Sequence, residues 1–335
     1  MKPPNIVIVT PALAAANNGN WQTAQRWAHL LRPNYRVRLT DEWTGNTPAD
    51  RQDDLMIALH ARRSAPSVAA WRAATATRPL VLVLTGTDLY RDIQHDTAAQ
   101  QSLRLADRLV VLNELGAASL PPAHRAKASI CLQSSPARKP LPKTPRHLRA
   151  LMVGHLRAEK SPSSYFDAAR LLATRDDILL DHIGGGLDAN LGAEARALAA
   201  TCPTYRWLGA LPHATTRARI QAAHVLVHPS QMEGGAQVMI EALRSGTPVI
   251  ASRIAGNVGL LGPRYTGYFD WGDANALATL LQQARDDAAM LPGLQAQCAQ
   301  RAPLFAPDHE RQTLLTLLAP LLMPRPATAL LETPT

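Results

Sequence analysis

Short, almost wholly apolar runs alternate along the chain with longer stretches in which apolar residues recur at helical spacing. In the first half the runs 6–10, 35–39, 55–59, 80–84 and 108–112 read as strands, and 21–31, 67–75, 97–106 and 114–120 as helices. The second half repeats the scheme, with strands at 148–153, 178–183, 205–208, 225–228 and 248–251 and helices at 163–173, 192–200, 214–223 and 236–244. Strands separated by helices return to a sheet in the same direction, and strands without a polar face are covered on both sides. The pattern therefore predicts an α/β protein with parallel sheets. Ligands in such sheets bind beyond the carboxyl ends of the strands, so the polar loops that follow the strands hold the candidate chemistry.

A proline-rich, basic stretch, Ser135-Pro136-Ala137-Arg138-Lys139-Pro140-Leu141-Pro142-Lys143-Thr144-Pro145-Arg146, separates the two sets of strands. Its prolines exclude a long helix and favour an extended connector. The expected division is a first domain at 1–135, a linker at 136–147 and a second domain at 148–305. Asp308 reads as the cap of a helix running to about Leu322, within a segment 306–323, and 324–335 reads as a frayed tail. A chain of 335 residues is long enough for two separate cores.

The most informative junction follows the run Val225-Leu226-Val227-His228-Pro229. There Ser230-Gln231-Met232-Glu233-Gly234-Gly235 leads into a helix that is apolar nearly all round yet carries Gln237 and Glu241, four residues apart and on one face. A carboxylate on a buried helix needs a partner. Gly234 and Gly235 let a ligand approach the backbone, the helix N-terminus favours an anion such as a diphosphate, and Glu233 and Glu241 can accept hydrogen bonds from hydroxyls of the same molecule. The bland alternative is a glycine turn entering a core helix, with Glu233 solvated and Glu241 satisfied by an arginine. In the first half, three polar loops lie at strand ends: Ala16-Asn17-Asn18-Gly19-Asn20, His60-Ala61-Arg62-Arg63-Ser64 and Thr85-Gly86-Thr87-Asp88-Leu89-Tyr90. Each has a dull reading as a turn, a packed imidazole or a helix cap. Their convergence on one edge points to a substrate site.

Composition narrows the classes. The hydrophobic share of 46% and charged share of 18% are those of a soluble globular protein, and no apolar run is long enough to span a bilayer. The start of the chain passes from Met1-Lys2-Pro3-Pro4 directly into a strand-like run, unlike a signal peptide. Cys131, Cys202 and Cys298 lack metal-ligand spacing and read as buried free thiols in a reducing cytoplasm. The net charge of +9 is spread along the chain without a nucleic-acid-binding signature, so nucleic acid is not expected, while a small anionic substrate suits the charge.

Glu233 and Glu241, with seven residues between them, and the downstream Ser245-Gly246-Thr247-Pro248-Val249-Ile250-Ala251-Ser252 resemble the donor-site signature of family 4 glycosyltransferases. The resemblance implies the GT-B arrangement: two facing Rossmann-like domains, with the last helix returning to the first. It places Glu233 beside the donor sugar as a catalytic residue, Gly234, Gly235, Ala236 and Gln237 around the sugar and diphosphate, and Glu241 on the ribose hydroxyls. Val153-Gly154-His155-Leu156-Arg157-Ala158-Glu159-Lys160 resembles the family's phosphate-binding segment, which makes Lys160 a catalytic cation for the diphosphate as a mobile point charge. His155 stands where the family usually has arginine, so Arg157 or Arg253 would supply the missing charge. Trp207-Leu208-Gly209-Ala210-Leu211-Pro212 corresponds to the segment near the nucleotide base, through the backbone of Gly209 and Leu211.

Across nearly the whole chain, the runs Gly19-Asn20, His60-Ala61-Arg62-Arg63-Ser64, Gly86-Thr87-Asp88-Leu89-Tyr90-Arg91-Asp92, Val153-Gly154-His155-Leu156-Arg157 and Arg253-Ile254-Ala255-Gly256-Asn257-Val258 are similar to the selenosugar synthase group of selenoneine biosynthesis. That resemblance implies transfer of a sugar from a UDP-sugar such as UDP-N-acetylglucosamine to selenophosphate. The acceptor site would comprise Asn18, Gly19, Asn20, His60, Arg62, Thr87 and Asp88, with His60, counted also as a catalytic residue, or Arg62 on the acceptor phosphate. Selenophosphate is already an anionic nucleophile, so no general base is expected. Without an Asp-x-Asp motif, neither a metal nor another cofactor is expected. The competing readings are a family 4 transferase with an alcohol acceptor, a UDP-sugar epimerase or hydrolase, and a non-catalytic sugar-nucleotide-binding protein.

Overall fold

The computed structural model describes residues 2–11 and 19–323. Among them are two six-stranded sheets, parallel throughout. The first contains β1 (Asn5–Val9), β2 (Arg36–Thr40), β3 (Leu55–Leu59), β4 (Leu80–Leu84), β5 (Arg108–Val111) and β6 (Ala128–Ile130), in the order β2-β1-β3-β4-β5-β6. The second contains β7 (Leu148–Val153), β8 (Ile178–Ile183), β9 (Tyr205–Trp207), β10 (Val225–His228), β11 (Val249–Ser252) and β12 (Tyr268–Phe269), in the order β12-β11-β10-β7-β8-β9. Helices α1 (Gly19–Leu31), α2 (Ala65–Ala74), α3 (Ile93–His95), α4 (Thr97–Leu105) and α5 (Pro122–Arg125) accompany the first sheet. Helices α6 (Pro162–Leu171), α7 (Ala189–Thr201), α8 (His213–Ala222), α9 (Gln237–Leu243), α10 (Ala255–Leu261), α11 (Ala274–Asp286) and α12 (Met290–Arg301) accompany the second, and α13 (Pro307–Leu322) follows.

The strand orders locate the sites. In the first sheet the order turns back between β1 and β3, and in the second between β7 and β10. Adjacent helices there lie on opposite faces and leave a crevice at the strand ends. The loop after β3 in the first sheet, and those after β7 and β10 in the second, therefore flank the two crevices.

Several sequence expectations change. The stretch 114–120 forms only a single 3₁₀ turn, Gly116–Ser119, because Pro121 and Pro122 follow at once and α5 starts on the second of them. The edge strands β6 and β12, of three and two residues, are too short to show a periodic signal. Asp308 is not the cap of the last helix: Ala306 holds that position, and Pro307 opens α13, where its missing N–H costs nothing. All three cysteines are buried and unpaired.

Helix α13 returns to the first domain. Leu314 and Leu318 join Trp27, Leu31, Ile6 and Ile8 in one core cluster. Glu310 is fully buried at its start, and accepts hydrogen bonds from Arg26 Nε at 2.9 Å, Trp27 Nε1 at 2.7 Å and Ser134 Oγ. One carboxylate thus joins α1, the end of the first domain and α13.

A second buried polar group supports the crevice of the second sheet. His182 of β8 lies among the rings of Tyr165, Phe166 and Tyr205, with Nδ1 3.1 Å from Tyr205 Oη and Nε2 3.1 Å from the Gly154 carbonyl at the end of β7. Burial pushes its pKa down to about 4, against the Gly154 carbonyl, which pulls it up. The neutral ring, with its proton on Nε2, donates to Gly154 and steadies the loop after β7.

Two predictions follow from these groups. Glu310→Ala leaves Arg26 and the indole N–H without their partner and should lower the unfolding free energy by about 3 kcal/mol, measured as a denaturant midpoint by tryptophan fluorescence. For His182 the folded pKa lies below the unfolded value of about 6.5, so the unfolded chain binds more protons between roughly pH 6.5 and 4 and stability falls as pH falls through that window. His182→Gln should therefore lose about 2–3 kcal/mol less than the wild type between pH 7 and 4.5, with denaturation curves at both pH values as the check.

Candidate active site

The second-domain half of the site is built by the neighbouring strands β7 and β10. The loop after β7 ends in a 3₁₀ turn, Ala158–Lys160, and that after β10 carries Glu233. The Gln231 amide donates to the Glu159 carbonyl at 2.9 Å, so the two loops run side by side. Lys160 Nζ then lies 2.5 Å from Glu233 Oε1, and His228 Nε2, at the end of β10, lies 3.1 Å from the same oxygen. Glu233 is 7% exposed. Burial works to protonate it, but above all the charge and hydrogen bond of Lys160, with His228 beside the same oxygen, outweigh burial and hold it well below the usual carboxylate range.

Two left-handed residues shape these loops. Ser161, with φ 48°, ends the turn carrying Lys160, and its Oγ accepts the Trp271 indole N–H at 2.8 Å. Ala236, with φ 33°, turns the chain into α9. Such conformations cost about 1–3 kcal/mol each outside glycine, and here they aim side chains rather than fill space.

His155 is half-buried, and its Nδ1 accepts the Gly185 amide at 3.0 Å. Burial, then Arg157 and Lys160, lower its pKa, so it offers a neutral Nε2–H donor rather than a charge. Arg157 is exposed beside it. The Arg253 guanidinium covers the Tyr268 ring, 5.2 Å from its centroid. Gly209, with φ 67°, accepts the Gly184 amide at 2.8 Å, and Leu211 packs on the second core. Glu241, 2% exposed on α9, meets His213 Nε2 at 2.7 Å rather than the arginine that a bland reading supplied.

The glycines after Glu233 have a different cause from the one expected. A Cβ on Gly234 would stand 2.1 Å from the Thr85 carbonyl oxygen, and one on Gly235 would stand 2.5 Å from Gln133 Oε1. Both partners belong to the first domain, so these positions are small because the domains meet there. Asn113 Nδ2 donates to the Gly234 carbonyl and to Tyr90 Oη, each at 2.9 Å. Gln237 donates from Nε2 to the Ser134 carbonyl at 3.1 Å, while its Oε1 has no hydrogen-bond partner among the described residues.

On the facing side, His60 has φ 74° and is 2% exposed. Its Nε2 is 3.2 Å from Thr87 Oγ1, and its Nδ1 faces the Arg63 amide at 3.4 Å. Burial lowers its pKa, and Arg63 and Arg62 reinforce burial against the pull of Asp88 and Asp92. The ring therefore holds Thr87 instead of presenting itself to an acceptor. Asp88, also expected to contact the acceptor, is fully buried: it accepts the Thr85, Gly86 and Ala61 amides at 2.8, 3.0 and 2.9 Å and so ties the loops after β3 and β4 together. Arg62 and Arg91, both part-exposed, flank the buried Asp92 at 3.0 Å each, and Arg91 Nη1 reaches Glu159 of the second domain at 3.5 Å. Gly19 and Asn20 form the first residues of α1, while Asn18 lies outside the described residues.

The sequence alone assigns no role to His228, His213, Arg91 or Asn113. A histidine at the carboxyl end of a buried strand was a usable signal for His228. Nothing local marked His213, which lies 28 positions from its partner.

Among the described residues no three His, Cys, Asp or Glu side chains converge as a metal site would need, and no helix is long and apolar enough to cross a membrane.

Comparison with known proteins agrees with this architecture. In fold, the chain is similar to sucrose-phosphate synthase from Thermosynechococcus elongatus, with a TM-score of 0.77, 20% identity and coverage of 96% of this chain and 99% of that one. It is similar also to Anabaena Alr3699/HepE, solved with UDP and glucose, with a TM-score of 0.73, 16% identity and coverage of 95% and 100%. A GDP-mannose-dependent alpha-mannosyltransferase of Mycolicibacterium smegmatis is 34% identical over 107 residues, which span 32% of this chain and only 27% of that relative. Residues 134–304, half of the chain, match the family described as glycosyl transferases group 1, and they contain Lys160, Glu233 and Glu241. The chain, with two parallel sheets in the GT-B arrangement, belongs to the glycosyl transferases group 1 family.

Proposed function

We propose that the protein transfers a sugar from a UDP-sugar, UDP-N-acetylglucosamine being the first candidate, to selenophosphate, with release of UDP. The reading rests on family membership for the donor half and on the resemblance to selenosugar synthases for the acceptor. One structural observation favours an acceptor that is already anionic. Among the described residues of the first-domain loops the potential bases are engaged: His60 with Thr87, Asp88 with three amides, and Asp92 between two arginines, its Oδ2 3.0 Å from Arg62 Nε though without a hydrogen bond. Arg62 and Arg91 keep part of their surface open. An alcohol acceptor needs help in losing its proton, whereas an anionic nucleophile needs binding and orientation.

In this reading the selenium attacks the anomeric carbon as the bond to the diphosphate oxygen breaks, and the electron pair passes to the diphosphate. Lys160 uses one of its three ammonium donors on Glu233 and has others for the leaving oxygens. His155 adds a neutral donor, with Arg157 beside it. Glu233, kept ionised, accepts hydroxyls of the donor sugar, and Glu241 accepts those of the ribose. Arg62 and Thr87 hold the acceptor phosphate, with His60 orienting Thr87. No divalent ion enters the scheme.

Purified protein with UDP-N-acetylglucosamine and selenophosphate, handled anaerobically, should form a selenium-containing sugar and UDP by mass spectrometry, at a rate unchanged by EDTA. Lys160→Met should reduce kcat by about 10²–10³-fold. UDP release without selenium incorporation would refute the acceptor assignment and leave a hydrolase or another acceptor. Dependence on added divalent ion would refute the leaving-group scheme.

A further inference from the structure

The pairing of Glu241 with His213 is unusual in its placement. Glu241 is 2% exposed, whereas the His213 side chain is 54% exposed, so the contact joins a buried carboxylate to a residue at the surface. His213 opens α8, directly after the loop that follows β9, and its Nε2 lies 2.7 Å from Glu241 Oε1. One turn further along the same helix, Arg217 is buried, donates from Nη2 to the Pro136 carbonyl at 2.9 Å, and leaves Nε without a hydrogen-bond partner among the described residues. Among the described residues Arg217 makes no ion pair with Glu241, so His213 is the α8 donor that touches the α9 carboxylate.

A side-chain contact at the surface is ordinarily worth little. This one differs because the carboxylate is enclosed, so the orientation of its two oxygens depends on the groups that touch it. Each carboxylate oxygen has two acceptor positions, and Oε1 can keep His213 while still receiving a hydroxyl. From this geometry we infer that His213 is a positioning residue for nucleotide recognition: it pins the Glu241 carboxylate so that both oxygens face the vicinal hydroxyls of the donor's ribose. The inference rests on the reading that Glu241 receives those hydroxyls, and goes beyond it by assigning the discrimination to a pair of residues.

The test compares binding of UDP and 2′-deoxy-UDP by isothermal titration calorimetry in the wild type, His213→Ala, His213→Gln and Glu241→Ala. The wild type should prefer UDP by about 10–100-fold, the range for a hydrogen bond to a charged group. His213→Ala should reduce the preference to below about 3-fold, and His213→Gln, whose amide can still donate to Oε1, should restore most of it. A surface role without positioning would leave the preference of His213→Ala at the wild-type value, and that result overturns the inference. If Glu241→Ala abolishes the preference while His213→Ala keeps it, the ribose reading stands and only the role of His213 fails. If Glu241→Ala keeps the preference, the ribose reading fails and the inference with it.

Discussion

A carboxylate shut away from water stays ionised only if cations are brought to it, and Glu233 sets that demand at the centre of this protein. The answer comes from topology. Lys160 and Glu233 are 73 positions apart, yet β7 and β10 pair directly, so the loops leaving them run together and the ammonium meets the carboxylate. His228, which ends β10 itself, brings its Nε2 to 3.1 Å from the same oxygen. Had β8 or β9 filled the place beside β10, Glu233 would face the same burial without Lys160. The strand order is therefore a condition for the charge state of the site.

A second constraint is how closely the domains approach. The Thr85 carbonyl occupies the space where Gly234 would carry a Cβ, and Asn113 bridges Gly234 and Tyr90. Farther out, Arg91 reaches Glu159, and Glu114 pairs with Arg301 at 2.9 Å. The loop bearing Glu233 is thus gripped from both domains, and the exposed arginines of the first domain stand across from Lys160. The buried carboxylates of the first domain, Asp88 and Asp92, hold loops and arginines in place.

The return of α13 shows the same economy of charge. Glu310 is fully buried, and is tolerated because Arg26, Trp27 and Ser134 all donate to it. The last helix and the connector after β6 are fastened at one point to α1, whose first residues lie at the edge of the first crevice.

The alternation of apolar runs with helical spacing was enough to specify two parallel α/β domains, because strands covered on both faces leave an unmistakable apolar signature. Strands β3, β4, β7, β8 and β10 have the bounds read from the chain, and the proximity of Glu233 and Glu241 to one loop and helix is a matter of local spacing. What lay beyond reach was every relation set by folding. Whether Gly234 spares room for a ligand or for Thr85, whether His60 is open or sealed under Thr87, and which donor answers Glu241 depend on residues far apart in sequence. Local periodicity encodes which face of an element is apolar. The partners of a buried charge are chosen only when strands take their order in a sheet and two domains close on one another, so only the tertiary structure decided them.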